Sequence, residues 1–258
     1  MSVLGVPGTV PKGELVRVYV WELPVRAAHW GVALSLMVLA VTGLYIAHPI
    51  PLLPASFRDT YSMGFIRTIH LYAAIVFGIS VVVRIAWMFM GNRYSHWDKF
   101  IPMHRKRWAG LIPTLRFYLF NLRKPPGFVG HNPLAGITYT GIFILYILQM
   151  LTGFALYSAM AHVNSPFHHV GFLAALFGGL QTAKWIHHVV MWMLLGFAGH
   201  HVYSAMLMST VEANGTMESM FSGNKFVPPE DLVFSGYRFK QRRELHARSQ
   251  QVGGTGRR

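Results

Sequence analysis

The chain has 258 residues, 53% of them hydrophobic and 12% charged, with a formal net charge of +14. Such a composition is too apolar for an ordinary soluble domain and points to an integral membrane protein, in which excess positive charge marks basic loops on one side rather than a nucleic-acid surface. Cysteine is absent, which excludes disulfides, thiolate-held zinc or iron–sulfur clusters and covalent c-type haem attachment, so any metal centre must use histidine, carboxylate or methionine.

Residues 1–26 are rich in Gly, Pro and Val and end in VRVYVWELPVR. They predict a short extended or interfacial arm with Tyr19 and Trp21 at headgroup depth. No short apolar core with a small-residue cleavage site precedes the first span, so no removable signal peptide is expected. Four apolar stretches follow, at about 27–47, 65–90, 133–161 and 184–211, each reaching the roughly 20 residues that cross about 30 Å of hydrocarbon. The expected fold is an all-α membrane protein: a four-transmembrane-helix bundle over 27–211, with the arm 1–26 before it and a basic tail, 212–258, after it.

The loops set the orientation. Segment 91–133 carries Arg93, Lys99, Arg105, Lys106, Arg107, Arg116, Arg123 and Lys124 against one acid, Asp98. The tail adds Lys225, Arg238, Lys240, Arg242, Arg243, Arg248, Arg257 and Arg258. The two opposite loops are nearly uncharged, with Arg58 and Asp59 in 48–64 and nothing charged in 162–183. By the positive-inside rule, both termini are cytoplasmic. The apolar run FHHVGFLAALFGGL within 162–183 is too short to span and predicts a helix on the outer surface or a docking segment.

The fourth span, KWIHHVVMWMLLGFAGHHVY, contains His187, His188, His200 and His201. Polar side chains in hydrocarbon need partners. At about 100° and 1.5 Å per residue, His187 and His201 fall within roughly 40° of one another and about 21 Å apart along the axis. None of the other cross-pairs shares a face as well. His29 at the inner start of the first span matches His201 in depth, and His70 at the outer start of the second matches His187. Two imidazoles at each level are the ligand set for two stacked haems, and bis-imidazole ligation, having no open site, suits electron transfer. Arg84 lies fourteen residues after His70 on the same face, where it can pair with a haem propionate. Arg26 and Arg67 are expected to snorkel. His188 and His200 point elsewhere and are assigned to packing or to the propionate side. His48, His96, His104, His162, His168, His169 and His246 are expected in solvated loops.

A faint repeat aligns Thr42-Gly43 with Thr152-Gly153 and sets Tyr139 where the first span has His29. Gly43, Gly78 and Gly153 could admit a flat macrocycle or simply close helix packing.

The segments VYVWELPVRAAHWGVALSLMVLAVTG (18–43), RTIHLYAA (67–74), GHNPLAG (130–136) and KWIHHVVMWMLLGFAGHHVY (184–203) resemble the b-type cytochrome subunit of membrane-bound Ni/Fe hydrogenases. More distantly, they resemble the cytochrome b subunit of respiratory formate dehydrogenase. The resemblance spans about 16–212. It implies an electron-transfer subunit in the bacterial inner membrane. Its partners would be an iron–sulfur small subunit on the periplasmic side, through that the Ni/Fe large subunit, and a quinone as acceptor. The family's haem b ligands fall on His29, His70, His187 and His201, for one haem or two; a single haem would take the outer pair, His70 and His187. The resemblance also puts quinone near His201, where His131 and Asn132 offer hydrogen bonds. Asn132 is equally explained as a helix N-cap before Pro133. No hydrogen-activating site is expected in a chain without thiolates. A His-lined ion transporter would need acidic residues in its spans, which are absent; a haem-free anchor gives no reason for depth-matched histidines; another oxidoreductase, such as formate dehydrogenase, would change only the partner.

Overall fold

The structure, a computed structural model, describes residues 15–49, 61–101, 105–119 and 128–228. Its elements in chain order are β1 (Val16–Tyr19), α1 (Leu23–Ala47), α2 (Met63–Met90), α3 (Arg105–Tyr118), α4 (Pro133–Ser158), α5 (Phe172–Leu176), α6 (Leu180–Glu212), α7 (Ser219–Ser222) and β2 (Asn224–Val227). Four helices, α1, α2, α4 and α6, are long and apolar enough to cross a membrane. Their limits differ from the sequence expectation by a few residues, for local reasons. Pro24 sits in the first turn of α1, where its missing N–H costs nothing, so that helix begins before Ala27. In α4, Asn132 caps the start by accepting from the Ala135 N–H at 2.7 Å. The α6 helix follows Gly178 and Gly179, whose φ values of 78° and 109° only glycine adopts readily, and it runs unbroken for 33 residues. The fourteen-residue phasing along it therefore applies.

Beside large buried residues such as Phe77, Val81, Ile142 and Leu194, much of the bundle interior is small and weakly polar, and many bulky residues face outward. Ala28, Ser35, Ala40 and Thr42 of α1, Ala73 and Ser80 of α2, Thr152, Ala155 and Ser158 of α4, and Ala183 of α6 are buried. Val41, Ile79, Ile144 and Trp192 stand exposed on the outside. This inverted arrangement is that of helices packed in lipid, where small residues bring backbones together and large ones face hydrocarbon. Gly31 shows how tight the contact is, since a methyl group there would collide with the Ser80 hydroxyl. The helices form two antiparallel pairs, α1 with α2 and α4 with α6. The pairs meet along a looser seam.

An all-α description needs one correction. β1 and β2 pair antiparallel, Val16 opposite Val227 and Tyr19 opposite Asn224. Each strand is only four residues long, too short to announce itself by period. They close one end of the bundle, the strand end, over a core of Val16, Val20, Trp21, Val25, Tyr94, Val129 and Val227. Trp21 is accordingly buried, not placed in a headgroup belt, and its indole donates to Ser219 Oγ at 3.1 Å. The Glu22 carboxylate accepts from the Trp87 indole at 2.9 Å and the Asn92 N–H at 2.7 Å.

At the other end, the loop end, Pro166–Gly171 makes a 3₁₀ turn into α5, and Leu173 packs with Ala155 and Ala183. Phe172 and Leu176 remain exposed there. The helix α3 lies within the basic loop, where no helix was expected. Thr114 and Phe117 are buried beneath it, and Trp108, Ile112 and Leu115 are exposed. Arg123, Lys124, His104, His246 and most of the basic tail fall outside the described residues.

Candidate cofactor site

Each end of the seam carries a pair of imidazoles. At the loop end, His70 of α2 and His187 of α6 lie within electrostatic reach of one another. Each ring is held by a threonine of the neighbouring helix. Thr42 Oγ1 is 2.8 Å from His70 Nδ1, and Thr152 Oγ1 is 2.9 Å from His187 Nδ1. The glycine after each threonine makes room: a methyl at Gly43 would stand 3.3 Å from His70 Cε1, and one at Gly153 would stand 3.3 Å from His187 Cε1. Gly78 differs, because its nearest neighbour would be Met150 Sδ at 3.6 Å. On its other side, His187 Nε2 lies 3.1 Å from the Gln149 amide nitrogen.

At the strand end, His29 of α1 and His201 of α6 face each other with ring centroids 6.1 Å apart. Phe197 stacks on His201 at 5.5 Å, and the Tyr139 hydroxyl is 3.4 Å from His201 Nδ1. His29 Nδ1 is buried without a hydrogen-bond partner among the described residues. Arg84 is buried as well, its guanidinium carbon 4.9 Å from the centre of the Phe100 ring and its Nη1 without a hydrogen-bond partner among the described residues. Among the described residues no acid pairs with it.

His131 stands nearby among three rings, Trp21 at 4.8 Å, Tyr139 at 5.0 Å and Phe100 at 5.2 Å. Asn132 spends its side-chain oxygen on the cap of α4 and also hydrogen-bonds Tyr118, which moderates the upward pull of burial on that phenol.

The remaining candidates lie apart from the seam. Arg26 donates to the Phe221 carbonyl, and Arg67 is exposed. His188 Nδ1 is satisfied by the Lys184 carbonyl at 2.8 Å, and exposed His200 meets Ser204 at 3.3 Å. His48, His162, His168 and His169 are exposed, and His96 joins Asp98 at 3.2 Å.

A family model described as prokaryotic cytochrome b561 matches residues 20–223. The chain belongs to that family. Its match runs from just after β1 through all four long helices and ends just before β2. Among similar proteins, one from Bradyrhizobium diazoefficiens is 37% identical over 211 residues, covering 81% of this chain and 85% of its own length. One from Escherichia coli strain K12 is 36% identical over 221 residues, 83% of this chain and 94% of its own. One from Azotobacter vinelandii is 37% identical over 209 residues, 80% of this chain and 87% of its own. All three carry the name of a probable Ni/Fe-hydrogenase B-type cytochrome subunit, the second of hydrogenase 1.

Membership of a cytochrome b561 family implies haem b, and the residues of this chain fit that group. Two metal–nitrogen bonds of about 2 Å plus two imidazole radii of about 1.1 Å separate axial rings by about 6 Å, close to the 6.1 Å between His29 and His201. Among the described residues no three histidine or acidic side chains gather into an ion cage. Two donors per level are what a metal needs when a macrocycle supplies the other four. A buried cation without an acid calls for an anionic ligand, and haem carries two carboxylates.

Thr42, Thr152 and Gln149 were not singled out as site residues from sequence. The Thr-Gly repeat was visible there, but only its glycines drew attention, because a threonine on one helix reaches a histidine on another only once the pairing is known.

Proposed function

We propose that this chain is the haem b subunit of a respiratory Ni/Fe hydrogenase, carrying electrons across the bacterial inner membrane to quinone. In this reading the loop end faces the periplasm and receives electrons from the iron–sulfur small subunit, and through it from the Ni/Fe large subunit. Both termini and the strand end face the cytoplasm. His70 and His187 hold one haem, and His29 and His201 hold the other. The support is the pair of depth-matched imidazole sets spanning the seam, together with the names of the relatives.

Haem b supplies a one-electron carrier, and the protein supplies the rest. With two imidazoles offered at each level, a bound haem would have no position left open, which would keep dioxygen chemistry out. The buried Arg84 guanidinium would attract a haem propionate and would favour the reduced state at the strand end. Quinone reduction also needs protons. His131, beside Tyr139 and Phe100, is the candidate to hydrogen-bond quinone and pass a proton, with Asn132 next to it as a secondary contact. The basic tail 212–258 and the arm 1–26 are cytoplasmic extensions of the 27–211 bundle in this reading.

The test is a pyridine haemochrome assay on the purified full chain from cells supplied with iron and haem precursors. Two haems b per polypeptide are expected. One would keep the loop-end pair and reduce His29 and His201 to packing. None would leave a haem-free anchor.

A further inference from the structure

We propose that Thr42 and Thr152 are positioning residues that lock His70 and His187 in the tautomer with hydrogen on Nδ1, so that both Nε2 lone pairs are free for the iron. This rests on the haem reading above, and goes beyond naming the ligands.

The argument starts from the hydroxyl, which has one hydrogen to give. Thr42 Oγ1 lies 2.7 Å from the Val38 carbonyl, and Thr152 Oγ1 lies 2.8 Å from the Leu148 carbonyl, the usual i−4 acceptor for a threonine inside a helix. With that hydrogen given to the backbone, each oxygen can only accept from its histidine. At 2.8 and 2.9 Å, both imidazoles must therefore donate from Nδ1. A neutral imidazole with hydrogen on one nitrogen has its lone pair on the other. For His187 a second contact agrees: the Gln149 amide nitrogen, a donor, sits 3.1 Å from Nε2. That amide marks where the lone pair points and must turn aside when metal binds.

Burial secures the lock. Thr42 is 5% exposed and Thr152 is 0% exposed, so water cannot substitute for either hydroxyl. The arrangement occurs twice, once in each helix pair, at matching positions of the Thr-Gly repeat. The glycine that follows each threonine lets the ring approach closely enough for the bond. An acceptor on the distal N–H of an axial imidazole fixes ring orientation and makes the ligating nitrogen more basic, which stabilises ferric iron.

The experiment compares Thr42→Val and Thr152→Val, which keep the branched shape but remove the acceptor, with Thr42→Ser and Thr152→Ser, which keep it. Full-length protein is purified from membranes. Haem b per chain, the resolved midpoint of each haem and the low-spin electron paramagnetic resonance signature are recorded. Each valine variant should bind the loop-end haem at least tenfold more weakly, as loss of an outer-shell partner of a ligand does. The haem retained should have a higher midpoint and an altered signature, with the strand-end haem unchanged. The serine variants should match the wild type. Wild-type midpoint and haem content in the valine variants would overturn the proposal. So would serine variants that lose haem, even where the valine variants fail to accumulate, because the missing methyl would then be the cause. His187→Ala is the control on the underlying reading: if it removes no haem, the ligand assignment itself is wrong.

Discussion

The two ends of the seam hold imidazole pairs of opposite character. At the loop end each ring sits within hydrogen-bond distance of a buried threonine, and each has a glycine cut away beside it. At the strand end one ring makes a long 3.4 Å contact to Tyr139, the other has a buried nitrogen without a partner among the described residues, and a buried arginine stands nearby. One site is held by short-range geometry and the other is governed by charge. Under the proposed function, that difference suits a carrier that would take electrons at one end and deliver them beside protons at the other. A neutral, rigid site changes little between redox states. A cation next to the second site raises its affinity for the electron.

The most severe way to break the comparison is His187→Ala. It should remove essentially all loop-end haem, half of the total, leaving a single low-spin component in the optical spectrum. Next is Gly153→Ala. The new methyl, 3.3 Å from His187 Cε1, displaces the ring by a few tenths of an ångström. Overpacking of this kind costs about 1–3 kcal/mol, read as several-fold weaker haem retention in a detergent wash. Gly78→Ala, whose methyl meets only the flexible Met150 thioether, is the matched control and should be near neutral.

Arg84→Gln probes charge instead of shape. It should lower the strand-end midpoint by several tens of millivolts, the effect of one charge about 10 Å away at an effective dielectric near 20. The loop-end midpoint should stay where it is, and spectroelectrochemical titration distinguishes the two. The smallest effect belongs to Tyr139→Phe. A hydrogen bond as long as 3.4 Å contributes less than about 0.5 kcal/mol, so the strand-end midpoint should move by no more than about 20 mV. A large shift there would mean that the two ends are fixed in the same way after all.

The four spans were legible in the sequence because apolar length is a local property. His187 and His201 were legible as a pair because helical phase is arithmetic on a single helix. Arg84 could be placed inward by the same arithmetic from His70. The other features depend on which elements meet. β1 and β2 carry no long pattern, and nothing in VRVY announces NKFV. The helix α3 is hidden in a run of basic residues, although Trp108, Ile112 and Leu115 recur at helical spacing. Thr42 and Thr152 were visible as a repeat, yet their partners lie 28 and 35 residues further along the chain and on other helices. Asn132 read equally well as a cap and as a ligand contact; the short bond to Ala135 N gives its oxygen to the cap.

The strand pair has a consequence for the order of synthesis. Val16 is made near the beginning of the chain and its partner Val227 only after the fourth span. Until the ribosome has passed α7, β1 has no neighbour, Trp21 lacks the Ser219 hydroxyl and Arg26 lacks the Phe221 carbonyl. The floor beneath His29 is thus completed only after all four spans have been made, and a chain cut short before Asn224 would insert its helices without ever sealing that end.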